Sequence, residues 1–250
     1  MSIFRQNSLI KSVLLLTLTG LAAHTLTACG TASSSDSGKL AGTENPPLTS
    51  REFRRITQIT SDTSSTLSHL ASTIPTDLLQ QARCIAVIRT VQAGFIFGGT
   101  GGDGMVTCRL QDGIWSAPSY LSLGGASVGL QIGGGVVETV LLFMNDAGVR
   151  ILDNPEFTLG AGIGAMIGPV SGGRGTGVSQ NANIYTYSQG VGLQIRLVID
   201  GTVIANDLNR NDKVYRHMGL RSPRDIRSTQ GALAPNIASP FIDTVSRVAP

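Results

Sequence analysis

The chain has 250 residues, 41% of them hydrophobic, with only 14% Asp, Glu, Lys and Arg, 31 glycines and a formal charge of +3. Of its 19 Lys and Arg, Arg5 and Lys11 precede Cys29, where no acidic residue stands; beyond Cys29 this leaves 17 against 16 Asp and Glu. With so near-neutral a balance, the basic sequence does not imply nucleic-acid binding, which needs a basic face on the folded domain, and no nucleic-acid partner is expected.

The first 28 residues read as an export signal. Arg5 and Lys11 form a basic start, and the apolar run from Val13 to Ala23 is about 11 residues, where a bilayer-crossing helix needs roughly 20. Leu26-Thr27-Ala28-Cys29 then matches the lipobox of a bacterial lipoprotein precursor, so cleavage before Cys29 and acylation of its thiol are expected. Each buried methylene adds about 0.8 kcal/mol, and several acyl chains hold a protein to a membrane. Gly30 stands where an Asp would retain a lipoprotein in the inner membrane; the expected location is the outer membrane, facing the periplasm. Residues 29–48, rich in Ser, Thr, Gly and Pro, read as a tether to a single domain over 49–250.

A helix is predicted from Thr49 or Ser50 to about Ser72, because a hydroxyl cap precedes Glu52 and Phe53, Ile56, Ile59, Leu67 and Leu70 recur at helical spacing. A shorter helix follows Pro75. From residue 84 to about 205 the period becomes two: Ala126 to Ile132 alternates, Val136 to Met144 is almost continuously apolar, and Leu159 to Ile167 alternates with glycine. Asp200-Gly201 suits a tight hairpin turn. Short helices are expected at Ala147–Leu152 and Leu208–Tyr215, and Pro240 to Val248 is weakly amphipathic. The fold class is therefore α+β: a glycine-rich, mainly antiparallel, bent or barrel-like sheet with N-terminal helices and short helical insertions. Cys84 and Cys108 fall in strand-like segments and, in an oxidising compartment, pair as a disulfide or stay as buried thiols, with the disulfide favoured. Too few Cys and His remain for zinc, and no cofactor is expected.

Two motifs suggest chemistry that their surroundings oppose. Gly99-Thr-Gly-Gly-Asp-Gly104 fits a dinucleotide fingerprint, yet Met105 to Leu110 reads as a strand where a helix is required, so a hairpin turn is preferred. Gly125-Ala-Ser-Val-Gly129 fits a nucleophile elbow, yet the alternation runs straight through Ser127. No acid–base constellation appears, and the chain is read as no enzyme. Arg51, Arg54 and Arg55 cluster around Phe53 and Ile56 at the start of the first helix, a mixture suited either to a headgroup layer or to a helix packed on the sheet. Arg174, after Gly168-Pro169, is a second candidate for a lipid phosphate, against a plain surface turn.

Ala82-Arg-Cys-Ile-Ala-Val-Ile88, Gly94-Phe-Ile-Phe-Gly-Gly99, Trp115-Ser-Ala-Pro118, Gly124 to Gly133, Val140-Leu-Leu-Phe143, Tyr187-Ser188 and Asn211 to Tyr215 together resemble the SYLF family over about residues 50–245. Arg89-Thr90, in place of the family's usual proline, and the segment around Gly190-Val191 depart from its pattern. The resemblance implies a lipid-binding module, whose eukaryotic members bind phosphoinositides and work with actin. For an exported bacterial protein, membrane phospholipid is the expected partner and actin is set aside. A structural or protein-interaction lipoprotein is the alternative, with a Ser127-dependent lipid hydrolase a distant third.

Overall fold

The structure is a computed structural model and describes residues 48–95, 97–128, 133–158, 165–167, 183–190 and 203–250. The lipobox, Arg174 and the Asp200-Gly201 turn lie outside the described residues. Helix α1 (Ser50–Ala71) starts at a capping box: Thr49 accepts from the Glu52 amide, and the Glu52 carboxylate accepts from Thr49. Pro75 ends the next turn, and α2 (Thr76–Gln81) buries Leu78 and Leu79. The sheet follows as β1 (Cys84–Phe95), β2 (Phe97–Cys108), β3 (Ser119–Val128) and β4 (Gly133–Phe143). Asn145 caps α3 (Asp146–Ile151), and β5 (Glu156–Thr158), β6 (Ala165–Ile167), β7 (Ile184–Gly190) and β8 (Val203–Asn206) complete the described strands. Asp207 caps α4 (Leu208–Tyr215), Ser222 caps α5 (Pro223–Arg227), and α6 (Ser239–Val248) buries Phe241, Thr244 and Val245. Of these elements, α5 and β5 carry too little periodicity to be foreseen.

The strands form one sheet in the order β5-β8-β3-β2-β1-β4-β7-β6, curled into a half-barrel. Every pairing is antiparallel except β6 with β7. Alternation sorts side chains to two faces. Ile85 and Val87 join Met105, Tyr120, Val140 and Leu142 under α1 and α6, while Cys84, Ala86 and Ile88 join Val106, Leu121, Leu141 and Phe143 on the other side. The curl depends on close strand approach: a Cβ at Gly104 would lie 2.6 Å from the Val87 carbonyl oxygen. Cys84 and Cys108 stand opposite each other in the β1–β2 register and are joined by a disulfide, with Cα atoms 3.9 Å apart.

The sheet also corrects one sequence reading. Gly99 to Gly104 forms no hairpin turn; all six residues lie in β2, paired with β1 on one side and β3 on the other. Two ladders hold the run extended where its turn-like composition suggests otherwise, and the chain reverses between Phe95 and Phe97. Ser127 also lies in a strand, opposite Gly98, and strand β4, not a helix, begins at Gly133.

The Trp-Ser-Ala-Pro segment fastens one end of the sheet. Trp115 donates its indole N–H to the Ala249 carbonyl at 2.9 Å, with the Arg109 guanidinium 4.3 Å from its ring centre. The Ser116 hydroxyl accepts from the Cys108 amide at 3.0 Å, and Tyr215 donates its hydroxyl to the Pro118 carbonyl at 2.6 Å. Asn211 satisfies both backbone groups of Tyr120. Nearby, Arg227 is buried and donates to the Ser119 hydroxyl, the Leu152 carbonyl and Asp153. Burial pulls its pKa down, and the Asp153 carboxylate opposes that.

Candidate functional site

The site lies along α1. Its N-terminal half exposes Arg51 and Arg54, which have no ion pair among the described residues, and between them Phe53, which is 53% exposed. Arg55 is placed differently from its two neighbours: it points to the sheet and pairs with Asp103 at 2.5 Å. The sequence cluster of three arginines therefore divides into two outward residues and one engaged residue.

Beneath α1 a polar row crosses the sheet. Register places Arg89 beside Asp103 on one side and Glu138 on the other, with Ser122 and Gln189 continuing the row. The helix is stitched to this row by Arg55–Asp103, by Arg89–Asp62 at 3.4 Å and by the Thr66 hydroxyl donating to Glu138 at 3.0 Å. Asp103 also holds Arg210 at 3.0 Å, which pairs with Asp207 at 2.7 Å. Lys213 on α4 reaches Glu52 at 2.5 Å; this contact first, and then the Thr49 bonds, hold the Glu52 carboxyl down at about 2. One step below, Tyr120 is buried, which pushes its hydroxyl up to about 12 and keeps it neutral.

A cleft of about 280 Å³ opens between α1 and the β1–β2 hairpin, walled by Arg55, Asp62, Arg89 and Asp103 and floored by Gly101 and Gly102. Sequence reasoning found Arg55 but missed the other three walls. The available signal was a charge breaking an apolar alternation: Ile85, Val87 and Val91 share a face with Arg89.

The opposite flank of α1 borders a groove of about 470 Å³ lined by Phe53, Thr57, Ser64, Ile237 and Pro240. Two of its hydroxyls are turned back on the helix: Thr57 donates to the Phe53 carbonyl at 2.9 Å and Ser64 to the Thr60 carbonyl at 2.7 Å. A stripe that reads as polar thus presents mainly methyl and methylene groups. No helix among the described residues is long and apolar enough to cross a membrane, and no group of three or more His, Cys, Asp or Glu among them is placed to hold a metal.

A curled sheet fastened by the Trp115 and Asn211 contacts and overlaid by a capped helix defines the class, an α+β domain built on a half-barrel. The family model described as "Ysc84: Las17-binding protein actin regulator" matches residues 124–248, half of the chain. The chain belongs to this family, that of the SYLF domain.

The chain is 32% identical over 148 residues to the SH3 domain-containing protein PJ696.02 of Schizosaccharomyces pombe, a match covering 57% of this chain and 34% of that one. LAS seventeen-binding protein 3 of Saccharomyces cerevisiae is 32% identical over 147 residues, covering 57% and 32%. The SH3 domain-containing YSC84-like protein 1 of Mus musculus is 31% identical over 145 residues, covering 57% and 43%. The chain thus spans less than half the length of these relatives. No solved structure gives a significant match.

These findings correct one expectation from the sequence. Actin was set aside as a partner, but the matching family is described as an actin regulator and its relatives are named for protein binding and SH3 domains. The exclusion rested on an inferred compartment and not on any feature of the folded domain, and it does not stand.

Proposed function

We propose that the chain is a non-catalytic binding module held at a membrane, in which the domain over 49–250 touches phospholipid directly and leaves other surface for a protein partner of the actin-regulating kind. The observation that carries the reading is the start of α1: Arg51 and Arg54, exposed and unpaired among the described residues, flank an exposed Phe53 beside an apolar groove. Aromatic and cationic groups arranged in this way suit the boundary between headgroups and acyl chains. With the charge beyond Cys29 near zero, attraction to an anionic surface has to come from such a local cluster. The lipobox supports a further part of the proposal: residues 1–28 are removed, Cys29 is acylated, and residues 29–48 tether the domain to its membrane. Strand placement of Ser127 supports the non-catalytic reading over a hydrolase.

Flotation on anionic vesicles of protein lacking residues 1–29 tests the domain apart from its anchor. Each basic side chain near an anionic surface contributes about 1 kcal/mol, so replacing Arg51 and Arg54 by Gln should weaken binding by roughly a decade at low salt and much less at high salt. Absence of flotation on every vesicle composition would overturn the lipid reading. Labelled palmitate retained after Cys29→Ala would overturn the anchor. Sedimentation with filamentous actin tests the protein partner directly.

A further inference from the structure

The cleft between α1 and the β1–β2 hairpin has an arrangement that the outward arginines lack. Its two walls carry charge of both signs: Arg55 beside Asp103, and Arg89 beside Asp62. The pairs are only partly used. Arg89 touches Asp62 through one nitrogen at 3.4 Å with its side chain 38% exposed, and Arg55 reaches Asp103 through one nitrogen with 63% exposed. The second oxygen of Asp62 accepts from Gln58 at 2.8 Å and that of Asp103 from Arg210 at 3.0 Å, one bond per oxygen. A guanidinium has five N–H donors, and a carboxylate accepts about four hydrogen bonds. Donors and acceptors therefore remain on both walls for a ligand lying between them.

The floor is open as well. A Cβ at Gly101 would meet nothing within 4 Å, and Val91 on the rim is 51% exposed. Arg55, Arg89 and Arg210 are balanced by Asp62, Asp103 and Asp207, and Glu138 beside Arg89 adds one negative charge, so the cleft offers no positive field to a simple anion. It complements a ligand that carries both signs a few ångströms apart.

We propose that this cleft binds a phosphoethanolamine-type zwitterion, with the phosphate on Arg55 and Arg89 and the primary ammonium donating to Asp62 and Asp103. The assignment rests on the phospholipid reading of the domain and names its headgroup. Bidentate guanidinium contacts suit a phosphate, and an ammonium supplies the N–H donors that the aspartates accept. A choline headgroup has the same charge and no N–H, so the cleft discriminates between the two through hydrogen bonds.

The full chain carrying Cys29→Ala is titrated with soluble O-phosphoethanolamine, phosphocholine and inorganic phosphate, followed by calorimetry. It is then floated on vesicles of equal anionic content with ethanolamine or choline lipid as the remainder. Phosphoethanolamine should bind about tenfold tighter than phosphocholine, the size of one charge-assisted hydrogen bond, and inorganic phosphate weaker still. Asp62→Asn should abolish the preference, so that phosphoethanolamine binds no tighter than phosphocholine. Gly101→Leu, built into open space, should block the cleft without disturbing the fold and gives the same answer if Asp62→Asn destabilises the chain. Equal affinity for the two headgroups, or inorganic phosphate binding as well as phosphoethanolamine, overturns the assignment. Binding of soluble phosphoethanolamine with no flotation on any vesicle would leave the cleft assigned and overturn the membrane reading instead.

Discussion

The same four strands do opposite things at their two ends. At the base, Cys84, Ile85, Ala86, Leu141, Leu142 and Phe143 are 0% exposed, a disulfide crosses β1 and β2, and cores press on both faces. At the tip, Val91 is 51% exposed, and Gly99, Gly101 and Gly124 face open space. Strands of 12 residues are about twice the usual length, so β1 and β2 continue well past the core that holds them. The polar row of Arg89, Asp103 and Glu138 marks the transition. Stability is concentrated at the base, and surface is presented at the tip, where small residues leave room for a ligand.

The base should respond most to mutation, and the largest effect is expected at Arg227. Removing it as Arg227→Ala takes one donor each from the Ser119 hydroxyl, the Leu152 carbonyl and Asp153 and empties a site that Arg227 fills at 6% exposure. Emptying a buried site of a long side chain costs about 2–5 kcal/mol, and the lost hydrogen bonds place the expected value in the upper part of that range. The urea midpoint should fall accordingly with an unchanged slope. A loss below 1 kcal/mol would mean that this corner is not part of the stabilising end.

Next is the disulfide. Cys84 and Cys108 are 24 residues apart in sequence, and in the chain-entropy model a loop of that size stabilises by roughly 3 kcal/mol. Cys84→Ala with Cys108→Ala should lower stability by about that amount. Intact mass after alkylation without reductant checks the bond itself, since two modified thiols would show that the pair stays reduced.

A glycine pair tests the base-to-tip contrast within one strand. At Gly104 a new Cβ meets the Val87 carbonyl oxygen at 2.6 Å and Ile88 Cγ1 at 2.8 Å, whereas at Gly101 it meets nothing within 4 Å. Gly104→Ala should destabilise by about 1–3 kcal/mol, the range for overpacking. Gly101→Ala should change stability by less than about 0.5 kcal/mol, as surface substitutions do. Equal effects in thermal unfolding would remove the distinction between the two ends.

Much of the fold was legible in the residues because local signals and tertiary context agree. Thr49 with Glu52 announces the start of α1, Asp207 announces α4, and the almost continuously apolar run of β4, interrupted at Glu138 and Thr139, follows from burial on both faces. Legibility failed where composition and context conflict. Gly99 to Gly104 has the composition of a turn, but hydrogen-bonded neighbours on both sides keep it extended. The five-residue α5 is too short for periodicity to show, so Arg227 reads as one more surface charge although the fold buries it. The site was half visible for a related reason. Arg51, Arg54 and Arg55 are neighbours in sequence, whereas Arg89, Asp103 and Asp62 come together only through strand register and helix packing.

The smallest effect concerns how α1 is held at its start, between the packed base and the open site. Glu52 closes the capping box with Thr49 and receives Lys213 from α4, and these bonds, Lys213 foremost, lower its carboxyl from 4.5 to about 2. A folded-state value below the unfolded one means that the contribution is complete above about pH 4.5 and is lost as pH falls toward about 2. Glu52→Gln preserves the shape of the box, since Gln also serves at that position, and removes only the charge. The melting temperature of the parent should therefore exceed that of Glu52→Gln at pH 6, and the gap should close on acidification to about pH 2. Asp225, lowered mainly by its bond with Ser222, weakens both proteins alike on acidification and drops out of the difference. Because the Glu52–Lys213 pair is solvent-accessible, salt should shrink the gap at pH 6 as well. A gap that keeps its size across this pH range and in high salt would show that Lys213 does not hold Glu52 in solution, and that α1 is fastened to the domain only through the polar row and the core below it.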